Sequence, residues 1–329
     1  MKNKREYAFD ILRVIAMIMV IVIHVSNVYS RSYGIISDSS FIVSLFFNTI
    51  SRISVPIFLM ISGALLLDRK FDKKKYLKRL SRFLILIIVW DIIYLVWEYF
   101  YLGIIYHNLY KLIFEPYRAH LWFLYTILIL YAIQPVLKII LEKANKVCKI
   151  ILLLIWLSFS TISISNPLIA EYFTIFSYMG FFILGKYLYD FIKNHDLRKY
   201  NILFIILILV CVAGSMTFNY HLSHKYNMFY NLYFAYRTPF IMTAAFCFYA
   251  LIISNYKKDY ISKTIDELSK LSLGVYLIHG IFLDITVKTF VYQSIHSIIG
   301  IPLFTCDIFI CSIISVFIIR KTKYLSKII

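Results

Sequence analysis

Apolar runs of about 20 residues recur along the whole chain, separated by short polar links. A run of this length crosses a bilayer as an α-helix, because a helix rises about 1.5 Å per residue and the hydrocarbon core is about 30 Å thick. The pattern predicts an all-α, polytopic membrane protein with about ten transmembrane helices, forming a single domain over residues 1–329. The predicted spans are 9–29, 41–67, 83–102, 121–140, 150–165, 171–189, 201–218, 232–253, 271–290 and 303–319.

Composition supports this class of protein. The 329 residues are 61% hydrophobic and 16% charged, with a mean hydropathy of +0.78, so a soluble fold would have too little core to bury its apolar surface. The five cysteines lie mostly inside apolar runs without a CxxC pair, which argues against a disulfide framework or a zinc site.

Lysine and arginine concentrate in alternate links, and the chain carries a net charge of +18. Cytoplasmic loops of membrane proteins are enriched in these residues, so the pattern predicts that both termini are cytoplasmic and that the protein is multi-pass in the plasma membrane. The positive charge is therefore explained by topology and membrane lipid, and no nucleic-acid partner is expected. The opposite links carry only Arg31, Lys111, Arg118 and Lys225.

The first span, 9–29, carries three polar groups that are unfavourable in lipid: Asp10, Arg13 and His24. Eleven residues separate Arg13 from His24, which returns the second side chain to within about 20° of the first, about 16 Å further along the helix. Because the two residues share a face, we hypothesise that this face lines a reaction chamber.

The second and third spans also contain polar residues. Pro56 lacks an amide hydrogen and is expected to bend the second span, which also contains Arg52, at Pro56 itself. Asp91 and Glu98, in the third span, are candidate ion-pair partners for the intramembrane arginines Arg13, Arg52 or Arg237.

The most basic link leads into the third span and places four cations on one helical face, at Lys75, Lys78, Arg79 and Arg82. Such a cluster is typical of a segment that binds anionic lipid. It equally suits a polyphosphate ligand, since arginine forks grip phosphate with two hydrogen bonds.

Later in the chain, the outward link 103–120 is long and aromatic enough to hold a helix lying in the membrane interface. Trp122 follows it, and a tryptophan here is most often an interfacial anchor. Arg237 needs a carboxylate partner or an anionic ligand. His279, near the middle of its span, is either hydrogen-bonded to a neighbouring helix or catalytic.

In this order, these residues resemble the acyltransferase-3 family of integral-membrane O-acyltransferases, in particular the short type that modifies bacterial surface polysaccharides. The resemblance covers nearly the whole chain. It rests on five motifs: Arg13-x10-His24 preceded by Asp10, RISVPIFLMISG at 52–63, R-x-x-R at Arg79 and Arg82, HLWFL at 120–124, and SLGVYLIH at 272–279.

The resemblance implies transfer of an acyl group, most often acetyl, from cytoplasmic acyl-coenzyme A to a sugar hydroxyl of a surface glycan or its lipid-linked precursor. His24 would act as general base or transient acyl carrier, without a metal. Some relatives carry an extracytoplasmic esterase-like domain, which is not expected here. The implied residues are His24, Asp10 and His279 for catalysis; Arg13, Lys78, Arg79 and Arg82 for coenzyme A; and Arg52, His120, Trp122, Tyr276 and Arg237 for the substrate cavity.

An alternative from another class is a sugar or polysaccharide transporter or flippase. Asp10, Arg13, His24 and Asp91 would then form a substrate and proton path. The absence of a recognisable inverted repeat in the sequence counts against this reading. A sensory or scaffold protein would explain the intramembrane charges, but not the shared face of Arg13 and His24.

Overall fold

The computed structural model describes residues 7–104, 116–165, 167–256 and 260–322, without the side chains of 163–165 and 167–173. These residues form eleven α-helices. The helices are α1 Tyr7–Arg31, α2 Asp38–Ser51, α3 Ser54–Leu66, α4 Lys73–Trp97, α5 Trp122–Lys143, α6 Lys146–Ser165, α7 Pro167–Asn194, α8 Asn201–Tyr226, α9 Pro239–Asn255, α10 Lys263–Thr289 and α11 Ser297–Lys321.

The all-α prediction is confirmed: the described residues are 86% helical and contain no strand. Among them, eight helical segments are long and apolar enough to cross a membrane, while α6 and α7 occupy the predicted fifth and sixth spans without being counted among the eight. A total of ten spans, and the side on which the termini lie, remain predictions. The eight segments are Tyr7–Arg31, Asp38–Leu66, Lys73–Leu102, Ala119–Lys143, Arg198–Tyr226, Leu232–Asn255, Lys263–Thr289 and Ser297–Lys321.

The bundle has two ends that can be recognised from contacts between links. At one end, which we call the distal end, the Tyr220 hydroxyl donates to Asp38 over 2.9 Å. At the same end, the Ser297 amide at the start of α11 donates to the Ser40 hydroxyl of α2 over 3.0 Å. At the opposite, proximal end, Ser269 donates to Asp10 over 2.7 Å. The described chain begins and finishes at the proximal end, because α1 starts there and α11 runs toward it.

The second predicted span is broken into α2 and α3 at Arg52 and Ile53. Pro56 cannot donate a hydrogen bond to the carbonyl of Arg52, and its ring crowds that carbonyl. The bend expected at Pro56 therefore takes the form of an interruption four residues earlier. This interruption places the Arg52 side chain at a junction inside the bundle.

Helix α1 is the centre of the packing and contacts α2, α3, α9, α10 and α11. The tightest contact elsewhere joins α3 to α7, where Gly63 lies against the backbone of Phe182 and Gly185 against that of Met60. Small residues allow membrane helices to approach this closely. A methyl group at either glycine would overlap the facing backbone, so we expect alanine to separate the two helices.

The carboxylates of the third span have other partners than the sequence suggested. Asp91 accepts hydrogen bonds from the Tyr117 amide and the Tyr125 hydroxyl, at 3.1 and 2.6 Å. Glu98 pairs with Arg118, so the expected pairing with the three intramembrane arginines is wrong. The interfacial helix predicted in the link before Arg118 falls largely on 105–115, outside the described residues.

Candidate active site

Three histidines from separate elements meet in the distal half of the bundle. His24 lies on α1, His279 on α10, and His120 on the 3₁₀ turn Ala119–Leu121 that precedes α5. The ring centroid of His279 is 5.0 Å from that of His24 and 5.0 Å from that of His120, and the other two centroids are 6.0 Å apart. The structure thus brings together three residues that the sequence placed in different roles.

Two of the three histidines are held by backbone carbonyls. Nδ1 of His279 is 2.6 Å from the Tyr276 carbonyl oxygen, which can only accept, so Nδ1 carries the proton and Nε2 keeps a lone pair. His120 bonds to the Leu277 backbone, and its Nε2 likewise has no partner within the described chain. Both buried rings therefore present an unpaired acceptor nitrogen.

His24 differs from the other two histidines in its exposure. It is partly exposed, whereas His120 and His279 are 8% and 1% exposed. No hydrogen bond to either His24 nitrogen is formed within the described part of the chain. Of the three imidazoles, His24 is the one that an incoming hydroxyl group can reach.

Two tyrosines fix the positions of the buried histidines. The Tyr94 hydroxyl donates to the Leu277 carbonyl over 2.8 Å, and its ring packs edge-on against His120 with centroids 4.9 Å apart. The Tyr276 hydroxyl donates to the His120 carbonyl. A Cβ on Gly280 would lie 2.7 Å from the Tyr94 hydroxyl and 2.8 Å from His120 Cε1, so this position has no room for a side chain.

A network of ion pairs covers this cluster on the distal side. Arg118 lies 2.7 Å from Glu98 and 2.5 Å from Asp284, and the Trp97 indole donates to Asp284 over 3.1 Å. The guanidinium carbon of Arg118 also lies 5.7 Å from the ring centroid of Tyr94. Sequence reasoning missed this network. The available signal was Asp284, an acidic residue inside a predicted span.

Beside the histidines lies a cavity of about 530 Å³, within the range of small-molecule sites. Its walls include three residues predicted to line the substrate cavity: Arg52, Trp122 and Arg237. Trp122 stacks on Tyr178 with centroids 4.9 Å apart. Tyr236 completes the aromatic wall, 5.9 Å from Trp122.

The cavity and the histidine cluster are adjacent. The Arg52 guanidinium lies close enough to His24 to act on it electrostatically, and Arg52 also lines the cavity. Trp122 follows His120 by two residues on the same turn of chain. Tyr276, the remaining residue of the predicted cavity, contacts His120 and His279 from behind and is not among the residues lining this cavity.

Asp10 and Arg13 lie at the proximal end, away from the histidines. Arg13 donates to Asp10 over 2.8 Å, and Asp10 also accepts a hydrogen bond from Ser269. Fourteen residues of α1 separate Asp10 from His24, about 21 Å along the axis. The structure therefore joins Asp10 to Arg13 and not to the catalytic candidates.

The remaining predicted coenzyme-binding residues lie on the first turns of α4, at this same end. The Nε of Arg79 donates to the Lys75 carbonyl over 3.1 Å, while Lys78 and Arg82 are exposed. The guanidinium groups of Arg79, Arg13 and Arg69 all act electrostatically on the Tyr131 hydroxyl, so this part of the proximal end is positively charged. This concentration of positive charge suits the phosphate groups of coenzyme A.

Within the described residues, no group of three or more His, Cys, Asp or Glu side chains has a geometry that would hold a metal ion. A sequence model of the acyltransferase domain Acyl_transf_3 matches residues 6–321. Comparison with curated proteins and with solved structures gives no match.

Proposed function

Because this chain belongs to the acyltransferase-3 family of membrane O-acyltransferases, we propose that it transfers an acetyl group from cytoplasmic acetyl-coenzyme A to a sugar hydroxyl. The acceptor is a cell-surface polysaccharide or its lipid-linked precursor, and the enzyme works in the plasma membrane. The transferase class follows from the family, whereas the donor and the acceptor are the proposal.

One observation carries the proposal: the partly exposed His24 lies within electrostatic reach of Arg52, which lines the distal cavity, while Arg13 on the same helix adds to the positive charge of Arg69 and Arg79 at the proximal end. A cytoplasmic donor and an acceptor that approaches from the opposite side of the membrane need two separate binding places. A reaction between them needs a base where the two meet. His24, about 16 Å along α1 from Arg13, is placed for that role.

In the reaction, the neutral His24 ring accepts the proton of the acceptor hydroxyl as the hydroxyl oxygen attacks the thioester carbonyl carbon. The carbon–sulfur bond breaks, and the proton passes from His24 to the departing thiolate, so that charge and atoms balance. The ring of His279 packs against that of His24 with centroids 5.0 Å apart and limits the orientation of the imidazole. Neither His24 nitrogen is engaged within the described chain, so one of them can serve as the base.

At the proximal end, Arg13, Arg79, Arg82 and Lys78 hold the coenzyme A phosphates. Arginine forks do this with paired hydrogen bonds, and Asp10 keeps Arg13 in place. Coenzyme A supplies the activated thioester. Binding the donor at one end and the acceptor at the other allows the acyl group to reach the far side of the membrane without export of the whole donor.

The test is acetyl transfer in inverted membrane vesicles supplied with acetyl-coenzyme A labelled in the acetyl group. Wild type should place label in carbohydrate, and His24→Gln should lower the rate about 100- to 10,000-fold, because a positioned base contributes that much. Coenzyme A binding and protein abundance should stay near normal. The matched control is His195→Gln, at an exposed histidine of the proximal end. Normal acetylation by a folded His24→Gln protein would contradict the assignment.

The orientation is tested separately by cysteine labelling in intact cells. After the exposed Cys148 and Cys306 are replaced by serine, Lys74→Cys should resist a reagent that cannot cross the membrane. Arg31→Cys, at the distal end, should react with it. The opposite result would place the guanidinium groups outside the cell and exclude a cytoplasmic donor.

A further inference from the structure

The described residues that line the distal cavity include two cations and no acid. Arg52 and Arg237 both line it, and none of the described residues in its walls is aspartate or glutamate. Neither arginine forms an ion pair within the described chain. The Nε of Arg237 is buried and has no hydrogen-bond partner there. Burying a guanidinium group in the membrane without an acidic partner raises the free energy of the folded protein, unless a ligand supplies the negative charge.

The two arginines line the same cavity, together with Tyr178. The guanidinium carbon of Arg52 lies 5.8 Å from the ring centroid of Tyr236, the residue that precedes Arg237. Arg52 is held in position by its Nε, which donates to Asn48 over 2.8 Å, and by the Phe234 ring, 5.2 Å from its guanidinium carbon. Two positioned cations in one cavity form a receptor for a single anionic group.

Aromatic rings provide the other half of the cavity. One face of Trp122 is stacked on Tyr178, and the same indole lines the cavity. Sugar rings have an apolar C–H face that packs on aromatic rings, while their hydroxyls need polar partners. The combination of an aromatic wall with two cations fits a sugar that carries a negative charge.

We propose that this cavity binds an anionic sugar unit of the acceptor, with Arg52 and Arg237 on its carboxylate or phosphate group and Trp122 against its ring. This inference rests on the proposed function, since it takes the acceptor to be a glycan. It adds a substrate class: the enzyme selects acidic saccharides, or saccharides linked to phosphate, over neutral ones. Because Arg52 lies within electrostatic reach of His24, the anionic group binds near the hydroxyl that is acetylated.

The test measures binding without requiring catalysis. The full-length protein in lipid nanodiscs is dialysed to equilibrium against a labelled tetrasaccharide containing glucuronate, and against the same tetrasaccharide with its carboxylates reduced to alcohols. A third arm uses N-acetylglucosamine 1-phosphate. The variants are Arg237→Gln, Arg237→Lys and, as matched control, Arg31→Gln, an exposed arginine at the same end.

Wild type should bind at least one anionic probe about tenfold to hundredfold more tightly than the reduced tetrasaccharide, the effect expected of a hydrogen bond to a charged group. Arg237→Gln should remove that preference, Arg237→Lys should retain part of it, and Arg31→Gln should leave it intact. A preference for the tetrasaccharide identifies a carboxylate as the anionic group, and one for the phosphate probe identifies a phosphate. If wild type binds all three probes equally well, this result alone overturns the inference, and no variant needs to be measured.

The same samples separate this inference from the proposed function. If wild type acetylates neutral and acidic saccharides equally well, the anionic selectivity is refuted while acetyl transfer stands. If wild type binds the acidic probe selectively but transfers no acetyl label to any glycan, the cavity assignment stands and the transferase proposal fails.

Discussion

Two arginine sites flank the same three histidines, and they differ in what neutralises them. Arg118 lies between two carboxylates that are 9% and 14% exposed, whereas Arg52 and Arg237 share a cavity with no acid among its described lining residues. The first cation is neutralised by the protein and holds separate helices together. We propose that the second pair is neutralised by a ligand. At these two sites, pairing with acids, rather than depth in the bundle, distinguishes the structural arginine from the two arginines proposed to bind substrate.

The largest effect should come from breaking the paired site. Arg118→Ala leaves Glu98 and Asp284 buried without their cation, and we expect it to lower the free energy of unfolding by about 3–5 kcal/mol. Thermal denaturation in detergent measures this. Replacing both carboxylates by their amides in the Arg118→Ala background should restore much of the loss, because it removes the unpaired charges.

The cavity arginine provides the contrast. Arg237→Gln removes a cation that has no acidic partner in the described chain, so its unfolding free energy should change by less than about 1 kcal/mol. A loss as large as that of Arg118→Ala would show that Arg237 is structural, and the comparison between the two sites would no longer hold.

The next largest effect concerns the cations at the proximal end. Arg79 forms no ion pair in the described chain, so Arg79→Ala should weaken coenzyme A binding about tenfold to hundredfold, and Arg79→Lys less, since lysine keeps the charge but loses the fork. At Arg82 we expect the same order: Arg82→Ala should weaken coenzyme A binding more than Arg82→Lys does. Arg198→Ala is the control, since Arg198 is already paired with Asp196 at 2.6 Å. Wild-type binding by the alanine variants would make the cluster a lipid anchor.

A smaller effect is expected from the packing that joins the paired site to the histidines. Gly280→Ala places a methyl group against Tyr94 and His120, so we expect acetyl transfer to slow about tenfold through misplacement of the ring, with coenzyme A binding unchanged. Gly214→Ala, whose methyl group meets only the Phe240 ring, serves as control. Equal rates for the two variants would exclude a positioning role for the Gly280 contact.

Much of the fold was predictable because apolar runs of membrane length have few alternative structures. Helix ends were predicted less well. The spans 201–218 and 271–290 correspond to α8, Asn201–Tyr226, and α10, Lys263–Thr289, since a helix continues through polar residues outside the apolar run. The break at Arg52 was invisible to a hydropathy pattern that stays apolar on both sides of it.

The site was predictable only within single helices. The shared face of Arg13 and His24 follows from the period of one helix, and both residues lie on α1 as expected. Contacts between helices do not follow from periodicity. His120 and His279 are 159 residues apart in sequence, and Arg118 and Asp284 are 166 apart. Their meeting depends on tertiary packing. The Asp10–Arg13 pair, by contrast, joins residues three apart on α1 and is compatible with the period of that helix alone.

The glycine contact between α3 and α7 has a mechanical consequence. Gly63 and Gly185 bring the two backbones into direct contact, which leaves α3 and α7 little room to slide past one another, while α2 packs against α1, α8 and α11. Arg52 lies at the break between α2 and α3, and Tyr178 lies on α7. A displacement of the α3–α7 pair relative to α2 would therefore change the spacing between the walls of the cavity, with the break at Arg52 acting as the hinge.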